Sequence, residues 1–418
     1  MQNILQTKYL VLVISLLFAQ QLLAQNCDCL TALDQAATIV QSAKSYKDTK
    51  KRIGLDSLQS YQNHIASQIT EDPKASINCL AYLERYLLIY RDKHLFVYPD
   101  NSKNILFDTE VPFEQRLSKF KESEAFLNTS RIRTSPEQFT FSSPIEGVYT
   151  DQYKREEVAL IKDQSREGKF LGIVTNSNTG LWEKGQVKWI LYLRDENQLE
   201  GIMYDDAHQP HHANLTYGDG LLNGGDWYKK SIDEQISFKP LVKPSSEDYF
   251  YEKLSDSTDY IYMSNFSGWK TKEIDAFYDK TLPQLSSSKL ILDLRNNTGG
   301  GERSYQELLD FILKTKSLKE VIILQNKKTV SAAEQFILKM KESDKVTTMG
   351  ETTSGMIAYG LGNRPSPSHD IPCFDFKMTT TKTRIKKYSQ YEIVGIKPDI
   401  TLTVFEDWIG AAQKQFKD

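Results

Sequence analysis

Apolar residues along the 418-residue chain change their spacing twice, and each change predicts a different kind of structure. Residues 30–128 read as mostly helical. In SINCLAYLERYLLIYR (76–91), Ile77, Leu80, Leu83, Leu87 and Tyr90 recur every three or four positions, which predicts an amphipathic helix with Pro73 at its upstream boundary. In RDKHLFVYPDN (91–101) the spacing becomes alternate at Leu95 and Val97, so the helix gives way to a strand and His94 stands at the junction. Over 139–235 the chain breaks into short alternating runs (EGVYT, EVALIK, KFLGIVT, GQVKWILYL, LEGIMYD) separated by turns such as NSNTG (176–180), which predicts a small antiparallel barrel or sandwich.

From about residue 245 strands alternate with helices. DYIYMSNF (259–266), KLILDLR (289–295) and EVIILQ (320–325) read as strands. The stretches 273–285, 302–315 and 331–342 read as helices. This alternation predicts crossover units on a parallel or mixed sheet, where reactive groups gather at strand ends and helix starts. The expected organisation is a leader at 1–24, a mostly helical region at 25–135, a small β-rich domain at 136–244 and an α/β domain at 245–418.

Composition narrows the function. A net charge of -3 carries no basic excess, so nucleic acid is not an expected partner. Lys8 followed by the apolar run YLVLVISLLFA (9–19) and by QQLLAQ (20–25) reads as a secretory leader, too short to span a membrane, with cleavage expected after Ala24. No later segment is long and apolar enough to span one, so the protein is expected to be exported, periplasmic or secreted. In that setting Cys27, Cys29, Cys79 and Cys373 allow three disulfide pairings, and Cys27 and Cys29 are too close in sequence to pair with each other. DDAHQPHH (205–212) offers His208, His211 and His212 beside two aspartates, yet a polar loop between strands is the usual meaning of such a run, and no metal is expected.

Four stretches carry the candidate chemistry. In KKTVSAAEQFI (327–337), Ser331 precedes a helical pattern with Glu334 three positions on, an S-x-x-E capping box. A helix start is also where a nucleophile gains most from exposed amides, so Ser331 reads either as a cap or as a nucleophile. In LILDLRNNTGGGE (290–302) three glycines follow a buried strand and let the backbone expose amides to an anion or an oxyanion. Neither nucleotide-loop spacing is present, so no nucleotide cofactor is expected. GETTSGMIAYG (350–360) and YEIVGIKPDI (391–400) complete the set.

In order and spacing these four stretches resemble the C-terminal-processing (tail-specific) serine peptidase family, which includes the tricorn core protease, the chlamydial protease-like activity factor and the interphotoreceptor retinoid-binding protein modules. The resemblance covers 245–405 and, more loosely, 76–100. It implies a ClpP/crotonase-like α/β catalytic domain, Ser331 as nucleophile, and an oxyanion hole of backbone amides from Gly299, Gly300 and Ala332. Two departures matter. The lysine of the family's Ser-Lys dyad is replaced by Met356, and the place where the tricorn branch has a histidine holds Tyr262. The chlamydial branch takes a histidine from the N-terminal region and a glutamate before G-I/V-x-P-D, which here are His94, in a D-x-H setting, and Glu392.

The expected triad is therefore Ser331–His94–Glu392, serving a serine endopeptidase that needs no cofactor and binds a polypeptide in extended form. The β-rich segment stands where family members often carry a PDZ domain, but it shows no carboxylate-binding loop. The rival expectation is an inactive peptide- or apolar-ligand-binding module on the same fold, which Tyr262 and Met356 favour.

Overall fold

The computed structural model describes residues 27–132, 139–236, 247–362 and 367–416. The leader and the expected boundaries at 135/136 and 244/245 lie outside the described residues.

The chain begins with α1 (Cys29–Val40), α2 (Lys44–Ile53), α3 (Leu55–Glu71) and α4 (Ala75–Leu87), and α4 tightens into a single 3₁₀ turn at Leu88–Tyr90. Leu80, Leu83, Leu87 and Tyr90 face the core as their spacing predicts, whereas Ile77 is 41% exposed, so the buried face starts one turn later than expected. Cys29 and Cys79 form a disulfide that joins α1 to α4, with a Cα separation of 5.4 Å. Of the pairings left open, this bond belongs to the one whose remaining members are Cys27 and Cys373.

After β1 (Val97–Pro99) and the helices α5 (Phe113–Lys121) and α6 (Glu124–Leu127), eight strands close into an antiparallel barrel. They are β2 (Gly147–Asp151), β3 (Glu156–Lys162), β4 (Lys169–Ser177), β5 (Val187–Asp195), β6 (Gln198–Tyr204), β7 (Pro210–Gly218), β8 (Leu221–Leu222) and β9 (Trp227–Lys229). The last three carry too short or too polar a run to be read as strands from spacing alone. Gly172 lets the barrel fill, because a Cβ there would come within 2.5 Å of the Trp189 ring. The histidines of DDAHQPHH serve the packing of this region. His208 stacks on Trp182 with ring centroids 3.8 Å apart and bonds the Leu181 carbonyl, while His211 lies between Glu84 and Asp205.

The third region is built on a six-stranded sheet in the order β10-β11-β12-β13-β14-β19. Its strands are β10 (Tyr249–Ser255), β11 (Thr258–Met263), β12 (Lys289–Asp293), β13 (Glu320–Gln325) and β14 (Val346–Gly350), then β15 (Tyr359–Gly360), β16 (Ser368–Ile371), β17 (Phe376–Thr379) and β18 (Thr383–Arg384) outside the sheet, and finally β19 (Ile400–Thr401) at its edge. All of its pairs are parallel except β10–β11. Side chains that alternate along a strand serve opposite faces. Ile261, Met263, Leu292 and Ile323 pack under α7 (Thr271–Thr281), α8 (Glu302–Lys314) and α9 (Ala332–Met340), while Tyr260, Tyr262, Ile291 and Ile322 pack under α10 (Trp408–Gln415). This is the expected α/β class, with a helical N-terminal region and a closed antiparallel barrel.

One small sheet decides where the site lies. β1 pairs with β17, and β17 with β16, so a strand from the helical N-terminal region is sewn to a hairpin from the C-terminal region. Ile371, Phe376 and Met378 of that hairpin enter the same apolar cluster as Leu80, Leu83 and Val97. The junction carrying His94 is thereby held against the α/β region, although 237 residues separate it from Ser331.

Candidate active site

Ser331 ends the loop between β13 and α9. The loop is fastened at several points. The Thr329 hydroxyl donates to the Leu294 carbonyl at 2.8 Å, the Val330 amide to the Asn297 carbonyl at 3.0 Å, and the Ser354 amide to the Thr329 carbonyl at 3.1 Å. Ser331 itself has φ 58° and ψ -118°. A side chain bearing a Cβ adopts that conformation at a cost of about 1–3 kcal/mol, and only where its surroundings over-determine it.

Glu334 supplies much of that constraint. It is fully buried, and its carboxylate accepts from the Ser331 amide at 3.0 Å, the Thr353 hydroxyl at 2.6 Å, the Gly355 amide at 2.7 Å and the Met356 amide at 2.9 Å. Burial pushes this carboxyl up, against the pull of those four donors. The capping glutamate visible in the sequence thus also ties the serine turn to the loop after β14.

His94 Nε2 lies 3.0 Å from Ser331 Oγ. The imidazole is 6% exposed, and burial pulls it from a histidine's usual 6.5 down to about 4, so it is neutral at neutral pH and can accept a proton. When Nε2 accepts from the serine, the ring proton sits on Nδ1, and Nδ1 has no hydrogen-bond partner among the described residues.

Glu392 meets the backbone of this corner. One carboxylate oxygen accepts from the Lys93 amide at 3.2 Å, the other from the Ile357 and Ala358 amides at 3.0 and 2.6 Å. The expected trio therefore gathers at one place, with Ser331 on the imidazole and Glu392 on the Asp92–Lys93 peptide, one link before the peptide that leads into His94.

The 92–94 segment has further holders that sequence reasoning missed. The Asp92 carboxylate accepts from the His94 amide at 3.0 Å and from the Thr381 hydroxyl at 2.7 Å. Burial, with the nearby Glu392 charge adding to it, pushes Asp92 up to about 6. The Thr379 hydroxyl donates to the His94 carbonyl at 2.6 Å. Lys93 reaches across to the Ser354 carbonyl and hydroxyl, and burial pulls its ammonium down. Asp92 had a signal, the D-x-H setting, whereas MTTTKT around Thr379 and Thr381 has none that sequence spacing could flag.

The Gly-rich turn lies against the serine. A Cβ on Gly299 would come within 2.8 Å of Ser331 Cβ and 3.1 Å of the Ala332 nitrogen. The three expected donors differ in state. The Gly299 amide donates to the Asn297 side chain at 2.9 Å, while the Gly300 and Ala332 amides make no hydrogen bond among the described residues. Buried Asn297 also donates to the Met263 carbonyl at 2.8 Å, so its amide group sets the shape of the turn.

The two departures from the family pattern are Tyr262 and Met356, and Met356 shares with Ser331 the Glu334 carboxylate oxygen that their two amides bind. Tyr262 packs in the apolar layer under α10, on the opposite face of the sheet from α9, and Met356 gives only its amide, to Glu334. Arg295 pairs with buried Asp293 at 2.9 Å and covers the Trp408 ring. Among the described residues, no group of three or more histidine, cysteine, aspartate or glutamate side chains could hold a metal ion, and no helix is long and apolar enough to cross a membrane.

Residues 306–402 match the model of Peptidase family S41, the family suggested by the four stretches. No curated protein matches the chain. Among solved structures, the chain is similar to the photosystem II D1 C-terminal processing protease, at 13% identity over 92% of this chain and 96% of that one with a TM-score of 0.36. It is similar to mature CPAF complexed with lactacystin, at 10% identity over 92% and 97% with a TM-score of 0.42. The tricorn protease is similar at 12% identity over 92% of this chain but 35% of its own, with a TM-score of 0.41.

Proposed function

We propose that the protein is an exported serine endopeptidase in which Ser331 is the nucleophile and His94 its general base. One observation carries the reading: a serine hydroxyl on a strained helix start lies 3.0 Å from the Nε2 of a buried imidazole that is neutral at neutral pH. In acyl transfer, His94 takes the hydroxyl proton as Ser331 Oγ attacks the peptide carbonyl, then delivers it to the leaving amine. The Gly300 and Ala332 amides are the uncommitted donors that meet the oxyanion, and Gly299 shapes the turn between them. The polypeptide lies extended between the helical N-terminal region and the α/β region. Treatment with a fluorophosphonate probe, followed by peptide mapping, tests the reading. Modification of Ser331 is expected, and a folded protein that takes up no probe would leave the rival binding module, which the unpartnered Nδ1 and Met356 favour.

Glu392 acts as a positioning residue, because it grips the amide of Lys93 and not the ring. Glu392→Ala is expected to lower kcat about 10–100-fold with little change in KM, the scale on which an ångström of misplacement acts. Glu392→Gln keeps one acceptor and should recover part of the loss. An unchanged kcat in the alanine variant would remove Glu392 from the site.

The pH dependence has a definite sign. His94 works as a base only when neutral, and its depressed value near 4 means that it stays neutral as pH falls below 6.5. The acid limb of kcat/KM is expected near pH 4, and a midpoint at or above 6.5 would contradict the assignment. Stability follows the same linkage. The contribution of neutral His94 is complete above pH 6.5 and is lost as pH falls through 4, because the unfolded chain binds the proton first.

A further inference from the structure

The Cys29–Cys79 disulfide leaves Cys27 and Cys373 as free thiols. They are not scattered. Cys373 lies in the one-turn 3₁₀ segment Pro372–Phe374 at the tip of the β16–β17 hairpin, and Asp28 and Pro372, the sequence neighbours of the two cysteines, line one surface cavity. The two positions are 346 residues apart in sequence, yet α1 packs against this tip, with the Gln35 amide nitrogen 3.8 Å from Cys373 Sγ. Two free thiols carried by segments that already pack together need little movement to bond.

We propose that Cys27 and Cys373 form a second disulfide, a reducible latch that fastens the start of α1 to the hairpin holding the His94 segment. Cys27 is exposed, whereas the sulfurs of the first disulfide belong to residues 2% and 0% exposed, so the two bonds differ in their access to thiols. The oxidant is a small-molecule disulfide. The Cys27 thiolate attacks one of its sulfurs, forming a mixed disulfide and releasing one thiolate. The Cys373 thiolate then attacks the Cys27 sulfur, closing the Cys27–Cys373 bond and releasing the second thiolate. The two protons lost by the cysteines end on the two released thiols.

The latch acts on the strand next to the imidazole. β17 runs from the Cys373 turn to Thr379, whose amide donates to the Phe96 carbonyl at 2.9 Å, whose hydroxyl accepts from the Phe96 amide at 3.1 Å, and which also bonds the His94 carbonyl. Cleavage after Ala24 would make Cys27 the third residue of the exported chain, so the bond would also pin its new N-terminus.

The test treats the purified protein with oxidised glutathione, alkylates remaining thiols after denaturation, and maps peptides without reduction. A linked Cys27–Cys373 peptide is expected beside Cys29–Cys79, with neither cysteine of the new pair alkylated. Under graded dithiothreitol the new bond should open first. Tm should then fall by several degrees, and hydrogen exchange at the Phe96 and Thr379 amides should quicken several-fold, while the Cys373→Ser variant should show both changes without reductant. Alkylation of both cysteines after oxidation, with Cys29–Cys79 intact, would overturn the bond. A linked peptide whose reduction leaves exchange at Phe96 and Thr379 unchanged would overturn the latch.

Discussion

His94→Ala is expected to lower kcat/KM on a peptide substrate by about 10⁴-fold or more, close to the loss in Ser331→Ala, and the double variant should be no worse than either single one. Non-additivity is the informative part. A base and a nucleophile that act in one proton transfer fail together, whereas two residues with separate roles multiply their losses. The competing basic group is Lys93, whose ammonium is held on Ser354 and not on Ser331. Activity surviving in His94→Ala but lost in Lys93→Ala would transfer the role of base to the lysine. Stability offers a second readout. The buried Nδ1 is without a hydrogen bond among the described residues, a defect worth about 1–3 kcal/mol when a polar group is removed from water. His94→Leu should therefore be at least as stable as the wild type in urea while remaining inactive. A residue that costs stability and is required for turnover is held there by chemistry and not by packing.

The sequence was most legible where local pattern and chemistry coincide. EVIILQ is β13 to the residue, and the helix after Ser331 begins at Ala332, because β-branched runs and a capping glutamate are local signals. The face of α4 was read one turn too early at Ile77, since periodicity gives the stripe but not which neighbour ends it. The barrel lost β8 and β9 to shortness, as strands of two and three residues become visible only through the partners they find. In the site, Ser331, His94 and the glycines could be chosen because each sits in a recognisable local setting. What could not be read is how the 92–94 segment is held. Thr379 reaches it from a three-stranded sheet whose register no local spacing encodes, Thr381 from just beyond that strand and Glu392 from a later turn, all nearly 300 positions away. For the same reason, Glu392 on the Lys93 amide instead of the imidazole could only be seen in three dimensions.

Gly300→Ala is expected to remove activity as thoroughly as loss of an oxyanion donor does, about 10²–10³-fold in kcat, and to do so in a protein whose serine and histidine are untouched. The reason is steric before it is chemical. Gly300 has φ 144°, and a Cβ built there would lie 1.9 Å from the Phe266 carbonyl oxygen and 2.6 Å from the Ser267 nitrogen. Both neighbours are backbone, so the turn itself must move. Phe266 is also where the turn is anchored, its amide donating to the Gly299 carbonyl at 2.7 Å and its carbonyl accepting from the Gly301 amide at 2.9 Å. Displacing it moves the Gly300 amide, which like the Ala332 amide makes no hydrogen bond among the described residues, and the proposed oxyanion hole needs both amides on one oxygen. Gly301→Ala provides the control. Its Cβ meets nothing within 4 Å and its φ is -122°, a conformation open to any residue, so it should keep activity within about twofold. Steady-state kinetics on both variants, with circular dichroism to verify folding, separates the cases. Equal activity in Gly300→Ala and Gly301→Ala would mean that the Gly-rich turn does not serve the oxyanion at all.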